Sequence, residues 1–159
     1  MISVAKTIDV NPEGTDVTLS RADVWRGLEA KANNPLPFVP AMTHCEVKER
    51  GENLIVREIE FRGERFGERV TLQPQESVVF ERTFGSVLGT IRNDILESDD
   101  GELQLRFSFD LELEGVEAGS QQERDYEETM KGDYLKAVDA TLAAIRRWTR
   151  EGDPPPVSA

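Results

Sequence analysis

The sequence predicts an α+β fold: a curved, seven-stranded antiparallel sheet wrapped around one long C-terminal helix, with two short helices after the first strand. Three observations lead there. From Thr43 to Leu113, segments of alternating apolar and polar residues follow one another across short turns, the pattern of an antiparallel meander rather than a parallel βαβ sheet. From Ser120 to Gly152 the apolar residues instead recur at helical spacing. Ahead of both, a single strand pattern is followed by a capped helical one.

Residues Ile2 to Val10 alternate, with Ile2, Val4, Ile8 and Val10 on one side, and read as the first strand. Asn11-Pro12-Glu13-Gly14 makes a loop. Ser20 is placed to cap a helix with Asp23 three residues on, and Val24, Trp25, Leu28 and Ala32 form its apolar stripe. Asn33-Asn34-Pro35 and Pro37 end it, because a residue before proline is pushed out of the helical region. Phe38-Val39-Pro40 reads as a second short helical turn. Strands follow at Thr43–Glu49, Asn53–Phe61, Glu68–Gln73, Ser77–Phe84, Val87–Glu97 and Glu102–Leu113. The charged stretch from Arg62 to Arg65 reads as a loop, and Pro74, Gly85-Ser86 and Asp99-Asp100-Gly101 mark turns. In the last helix, Ser120 and Glu123 have capping-box spacing, and Tyr126, Met130, Tyr134, Val138, Leu142, Ile145 and Trp148 share a face. Gly152 suits its stop, and Pro154-Pro155-Pro156 prevents continuation. The expectation is one domain over 1–152 and a disordered tail over 153–159.

Composition narrows the function. Of 159 residues, 31 are acidic and 19 basic, so the net charge is -12. That disfavours a nucleic-acid partner, whose backbone is bound by clustered Lys and Arg, and adsorption to an anionic membrane. No apolar run approaches the ~20 residues needed to cross a bilayer, so membrane insertion is not expected. One cysteine, Cys45, excludes an internal disulfide, and with no signal-like start the chain reads as cytoplasmic. The lone histidine, His44, adjoins it, so no His/Cys zinc set can form. Nor can His44 serve Cys45 within a strand, where neighbours face opposite ways. No phosphate-binding glycine loop or dinucleotide fingerprint is present. No metal and no cofactor are expected, and any catalysis would fall to Asp, Glu, Arg, Tyr or water.

The strand patterns place a few polar side chains on the inner wall. If the turn after Phe61 lies near Gly63-Glu64-Arg65-Phe66, Phe61 opposes Glu68, Ile59 opposes Val70, and Glu60 opposes Arg69 on the wet face. The inward set is then Ile55, Arg57, Ile59, Phe61, Glu68, Val70 and Leu72. Around Gly85-Ser86, Val78, Phe80 and Arg82 share a face with Gly89, Ile91, Asn93 and Ile95. The next hairpin sets Asn93 beside Phe107 and Ile91 beside Phe109, with Asp94 opposite Arg106 outside. Arg57, Glu68, Arg82 and Asn93 are therefore polar exceptions on an apolar wall. A buried Arg requires a carboxylate, a ligand anion or water. These residues either anchor a polar group of an apolar ligand or form internal ion pairs. With Phe61, Phe80, Phe107, Phe109, and Tyr126, Met130 and Tyr134 from the helix, they make the candidate binding wall. Trp25 and Trp148 read as packing residues, Cys45 as a small buried hydrophobe and His44 as a solvated one.

The stretches Leu19-Ser20-Arg21-x-x-Val24-Trp25-x-Gly27-Leu28-x-x-Lys31-Ala32 and Phe38-Val39-Pro40-x-x-x-x-Cys45-Glu46-Val47 resemble an AtaL-like domain. That domain lies within the SRPBCC superfamily of START and birch-pollen-allergen-like helix-grip proteins. Arg57 with Phe61, Thr90-x-x-Asn93 and Asp100-Gly101-Glu102-Leu103 extend the likeness, while spacing departs at Arg62–Glu68 and Pro74–Val78. The resemblance implies a helix-grip fold whose cavity, between sheet and long helix, binds small apolar or amphipathic molecules. The leading expectation is thus non-catalytic binding of such a metabolite, as carrier or sensor. One alternative is a cofactor-free cyclase, dehydratase or isomerase on a polyketide-like substrate. There Arg57 or Arg82 would stabilise an enolate, and Glu68 or a Tyr would move the proton. Another is a chaperone-type interaction module with a filled interior. The oligomeric state stays open.

Overall fold

A computed structural model describes residues 1–152, so the expected tail at 153–159 lies outside the described residues. Seven strands form one antiparallel sheet: β1 (Ile2–Asp9), β2 (Met42–Gly51), β3 (Leu54–Phe61), β4 (Glu64–Gln73), β5 (Ser77–Phe84), β6 (Val87–Glu97) and β7 (Leu103–Leu113). Their spatial order is β1-β7-β6-β5-β4-β3-β2, a meander whose only departure from sequence neighbours is β1 joining β7. Helices α1 (Arg21–Asn33) and α2 (Gln121–Glu151) cover the concave side.

The helix ends follow from local chemistry. Ser20 and Asp23 close a reciprocal capping box, each side chain accepting the other's backbone N–H. At α2, Ser120 accepts the Glu123 N–H, but the Glu123 carboxylate instead takes the Gly119 N–H and the N-terminal ammonium, so the expected box does not close. Gly152 ends α2 in the left-handed conformation, φ 75°. After α1 there is no second helix: the N–H groups of Phe38 and Val39 both donate to the Pro35 carbonyl, closing single turns. With prolines at 35, 37 and 40, too few N–H groups remain for a helix to propagate.

The core fills the space between sheet and helices. Ile55, Ile59, Val70, Phe80, Ile91, Phe107, Phe109 and Leu111 point in from the sheet, and Met130, Val138, Leu142 and Ile145 meet them from α2. Phe38 and Trp148 pack edge to face, ring centroids 5.9 Å apart. Helix α1 approaches α2 closely because Gly27 carries no side chain, and an added Cβ would stand 2.1 Å from Ile145 Cδ1.

The β5–β6 and β6–β7 registers agree with the sequence reading: Val78 pairs with Asn93, Phe80 with Ile91, Arg82 with Gly89, Asn93 with Phe107, Ile91 with Phe109 and Asp94 with Arg106. The β3–β4 register does not. The stretch read as a charged loop is strand from Glu64 onward, and Arg62-Gly63 alone make the turn, both at positive φ (50° and 81°). That is the two-residue geometry whose twist suits a hairpin. Phe61 therefore opposes Glu64, Ile59 opposes Phe66 and Arg57 opposes Glu68. Glu60 faces Arg65 rather than Arg69. The displacement is even, so every side chain keeps its expected face, and Phe66 joins the inward set. Leu72 and Cys45, expected inside, are half-buried at the margin of the core, and His44, expected in solvent, is half-buried too.

Candidate functional site

At the centre of the concave face, four charged side chains are buried together: Lys31 from α1, Arg57 from β3, Glu68 from β4 and Arg82 from β5. Glu68 bridges the two arginines. Its Oε1 accepts from Arg57 Nε at 2.9 Å and Nη2 at 2.7 Å, and its Oε2 from Arg82 Nε at 3.3 Å. Arg57 Nη1 donates to the Ala32 carbonyl at 2.8 Å, at the electronegative C-terminal end of α1. The Arg57 and Arg82 guanidinium carbons lie over the Phe80 and Phe66 rings, at 5.4 and 4.1 Å from the centroids. Such stacking suits the weakly hydrated guanidinium.

Two irregularities of the sheet bring this group inward. The β4–β5 register shifts between Gly67 and Glu68, which pair with Phe84 and Arg82 and leave Thr83 of β5 as the extra, bulged residue. Opposite Arg82 on β6, Gly89 adopts φ 137°, which lets the Asp110 carbonyl come where a Cβ would stand. Strand twist and bend at bulges re-aim the side chains beside them.

Lys31 sits on the apolar stripe of α1, three residues after Leu28, and is 7% exposed. Its Nζ donates to Asn93 Oδ1 at 3.0 Å, and no carboxylate among the described residues pairs with it. Arg82 Nη1 is buried and has no partner among the described residues. Its Nη2 reaches only the Tyr134 hydroxyl, at 3.5 Å. Three cations thus face one carboxylate in a region of low dielectric, a positive excess that burial makes costly.

The titration behaviour follows. Burial alone would raise the Glu68 carboxyl, but Arg57 and Arg82 outweigh it and hold the group below its ordinary 4.5. Burial, reinforced by Arg57 and opposed by Glu68, brings Lys31 down from 10.5 to about 8. Burial also raises the hydroxyls of Tyr134 and Tyr126 and the Cys45 thiol. Because the folded state releases the Lys31 proton first, the unfolded state binds more protons between about pH 8 and 10.5, and stability must rise with pH there. In denaturant titrations, the unfolding free energy of the wild-type protein relative to Lys31→Met is expected to increase between pH 8 and 10. Tyr134 has the opposite sign above pH 10 but is common to both proteins and cancels. A flat difference would place Lys31 in solvent.

These groups line a partly enclosed cavity of about 30 Å³. Lys31, Arg57, Glu68, Arg82 and Asn93 supply the polar wall; Phe61, Phe80, Ile91 and Tyr134 supply apolar wall; Pro35, Val39 and Met42 come from the α1–β2 connection. Of the residues expected to form the binding wall, Arg57, Glu68, Arg82, Asn93, Phe61, Phe80 and Tyr134 are brought together here. Phe107, Phe109 and Met130 are packed in the core beside it, and Phe109 supports Tyr134 at 5.3 Å between centroids. Tyr126 faces a separate surface cleft with Phe66 and Leu113. Sequence reasoning missed Lys31 as a wall residue. The signal was its place on the apolar stripe, where a lysine has no solvent to reach. Arg62, in the β3–β4 turn, grips Asp133 of α2 through two hydrogen bonds of 2.6 Å, tying the hairpin tip to the helix. Among the described residues no three His, Cys, Asp or Glu side chains are grouped to share a metal ion, and no helix is long and apolar enough to cross a membrane.

The family model for AtaL, Acetylaranotin biosynthesis cluster protein L, matches residues 4–152. The chain belongs to the AtaL family. Acetylaranotin biosynthesis cluster protein L of Aspergillus terreus (strain NIH 2624 / FGSC A1156) is 24% identical over 152 residues, 94% of this chain and 91% of that protein. Among solved structures, the Zhui aromatase/cyclase from Streptomyces sp. R1128 superposes with a TM-score of 0.72 at 17% identity, over 95% of this chain and 97% of its own. A START superfamily protein from Mycobacterium smegmatis superposes with a TM-score of 0.66 at 13% identity, over 91% and 97%. This AtaL-family chain therefore has the helix-grip fold of the START/SRPBCC superfamily, as its sequence predicted. At these identities the likeness to the solved structures is one of fold, and the site must be argued from its own groups.

Proposed function

We propose that this AtaL-family protein binds a small apolar or amphipathic molecule carrying an anionic head, a carboxylate, enolate or phenolate, between the sheet and α2. The observation that carries this reading is the unmatched positive charge: Lys31, Arg57 and Arg82 against Glu68, with Arg82 Nη1 left without a partner among the described residues. A ligand anion would supply that partner and offset the excess, and the aromatic wall would bury its apolar body. The cavity as it stands holds about two waters by volume. Binding therefore requires Tyr134 and the Pro35–Met42 connection to yield, and the proline-punctuated turns there carry few backbone hydrogen bonds to break. A nearly filled interior is also what a ligand-free interaction module would have, but such a module leaves the buried Arg82 Nη1 unexplained.

One further reading draws on the aromatase/cyclase with the same fold. An enolate held by Arg82 would be a stabilised intermediate of a cofactor-free cyclisation. Glu68 suits the base in that scheme poorly, since it is ionised, lowered in basicity and engaged at both oxygens by arginine.

The test is a matched panel of aryl carboxylates and their primary amides, followed by thermal shift and calorimetry. A charge-assisted hydrogen bond of about 1.5–3 kcal/mol predicts roughly 10- to 100-fold tighter binding of the acid. Arg82→Gln is expected to remove most of that preference while leaving the amide unchanged. Equal or absent binding of acid and amide would sink the proposal.

A further inference from the structure

We propose that Lys31 is an amine nucleophile, which takes a ketone or aldehyde carbonyl of a cavity-bound ligand into a Schiff base. This rests on the ligand-binding reading and gives the ligand a second functional group. Neither arginine can act this way, because guanidinium stays protonated; the lysine is the one amine on this wall.

The geometry carries the inference. Lys31 lines the cavity, and its Nζ makes a single hydrogen bond among the described residues, to Asn93 Oδ1. That amide oxygen orients the amine while leaving its other bonds open. A structural lysine buried to this degree would have a carboxylate partner, yet the nearby carboxylate, Glu68, is spent on Arg57 and Arg82. The Lys31 Nζ and the Arg57 guanidinium stand over the same Phe80 ring, at 5.9 and 5.4 Å from its centroid. A fixed cation beside a desolvated amine favours the neutral, nucleophilic form. The groups facing it are Arg57 from β3, Glu68 from β4, Arg82 from β5, Asn93 from β6 and Tyr134 from α2. Their sum is positive, and the amine is brought to about 8, so about a tenth is unprotonated at pH 7 and about half at pH 8.

The step balances without any other reagent. Neutral Nζ adds to the carbonyl carbon; the C–N bond forms as the C=O π bond opens to a carbinolamine. Both amine protons end on the oxygen, which departs as water, leaving C=N. Reversal by water releases the ligand.

The test uses 2,4-pentanedione, whose adduct with an amine rearranges to an enaminone that is stable without a reductant. The chain has five lysines, at 6, 31, 48, 131 and 136, so exposed Lys6, Lys48 and Lys136 serve as internal controls. Intact mass after incubation at pH 7.5–8 should show one addition of the diketone less a water, and peptide mapping should place it on Lys31. We expect modification of Lys31 about tenfold faster or more than of the exposed lysines, slowed by saturating aryl carboxylate. Denaturation should abolish the preference. Lys31→Arg, which keeps the charge, should abolish the adduct, and its thermal transition reports whether the fold survives. Modification of Lys31 no faster than Lys6 or Lys48, or none at all, overturns the proposal. If aryl carboxylates still bind in that case, the anion-binding reading stands and only the covalent step falls; if neither is seen, both fall.

Discussion

Glu68→Gln is expected to lower the unfolding free energy by about 3–5 kcal/mol, because it leaves two buried guanidinium groups without their counter-charge. For a chain of this length that is on the order of 10 °C in Tm. The substitution changes almost no volume, so the loss is electrostatic and not a cavity effect. Its pH dependence is a second check. The folded-state carboxyl titrates below its ordinary 4.5, so its stabilising contribution is fully present above that value. It is lost as pH falls through the folded value, where folding binds fewer protons than the unfolded chain. The wild-type and Glu68→Gln stabilities should therefore differ most at neutral pH and converge in acid. Removing the whole group together, with Lys31→Met, Arg57→Met, Glu68→Leu and Arg82→Met, should cost far less than the single change, since no unpaired charge remains. Equilibrium denaturation at pH 7 and at pH 3.5 measures the cost and the onset of the convergence, at most about 1.4 kcal/mol over the first pH unit below 4.5. A neutral-pH cost under about 1 kcal/mol would mean that water reaches the arginines and that the site is open in solution.

Gly89→Ala should be nearly as damaging, by a different route. Its added Cβ would lie 2.0 Å from the Asp110 carbonyl oxygen, in the neighbouring strand β7, and φ 137° is a region that L side chains rarely enter. No rotamer change relieves a backbone clash, so β6 and β7 must part or Gly89 must flip. Backbone strain and overpacking together suggest on the order of 3–4 kcal/mol. Either response displaces Arg82, which pairs with Gly89 across β5 and β6, so the variant should also lose the preference for acid over amide. Chemical denaturation, with the acid and amide pair measured on the folded fraction, checks both arms. Wild-type stability would show that β6 does not hold this bend in solution.

Much of the site was legible because side-chain alternation has a period of two. Arg57, Glu68, Arg82 and Asn93 were assigned inward from parity alone, and parity survived even where the hairpin register was four residues out. The register error had a local origin. Arg62, Glu64 and Arg65 read as a solvated loop, whereas two residues at positive φ suffice to turn the chain. Only with the true turn do Arg57 and Glu68 become direct neighbours, and only then is the ion pair more than one of two options.

What the sequence by itself determined, then, is what short-range periodicity and capping encode: the strands, α1 and α2, the helix-grip order and the face each side chain takes. Tertiary structure decided what depends on residues distant in the chain. Lys31 meets Asn93 across 62 positions, and Arg62 meets Asp133 across 71. Whether a buried cation is matched is a sum over every element around it, so Arg82 Nη1 stands out only once β4, β5 and α2 are in place. Cavity volume is likewise the small remainder after many side chains have packed, and a rotamer on Tyr134 or Met42 changes it, which no pattern along one strand records.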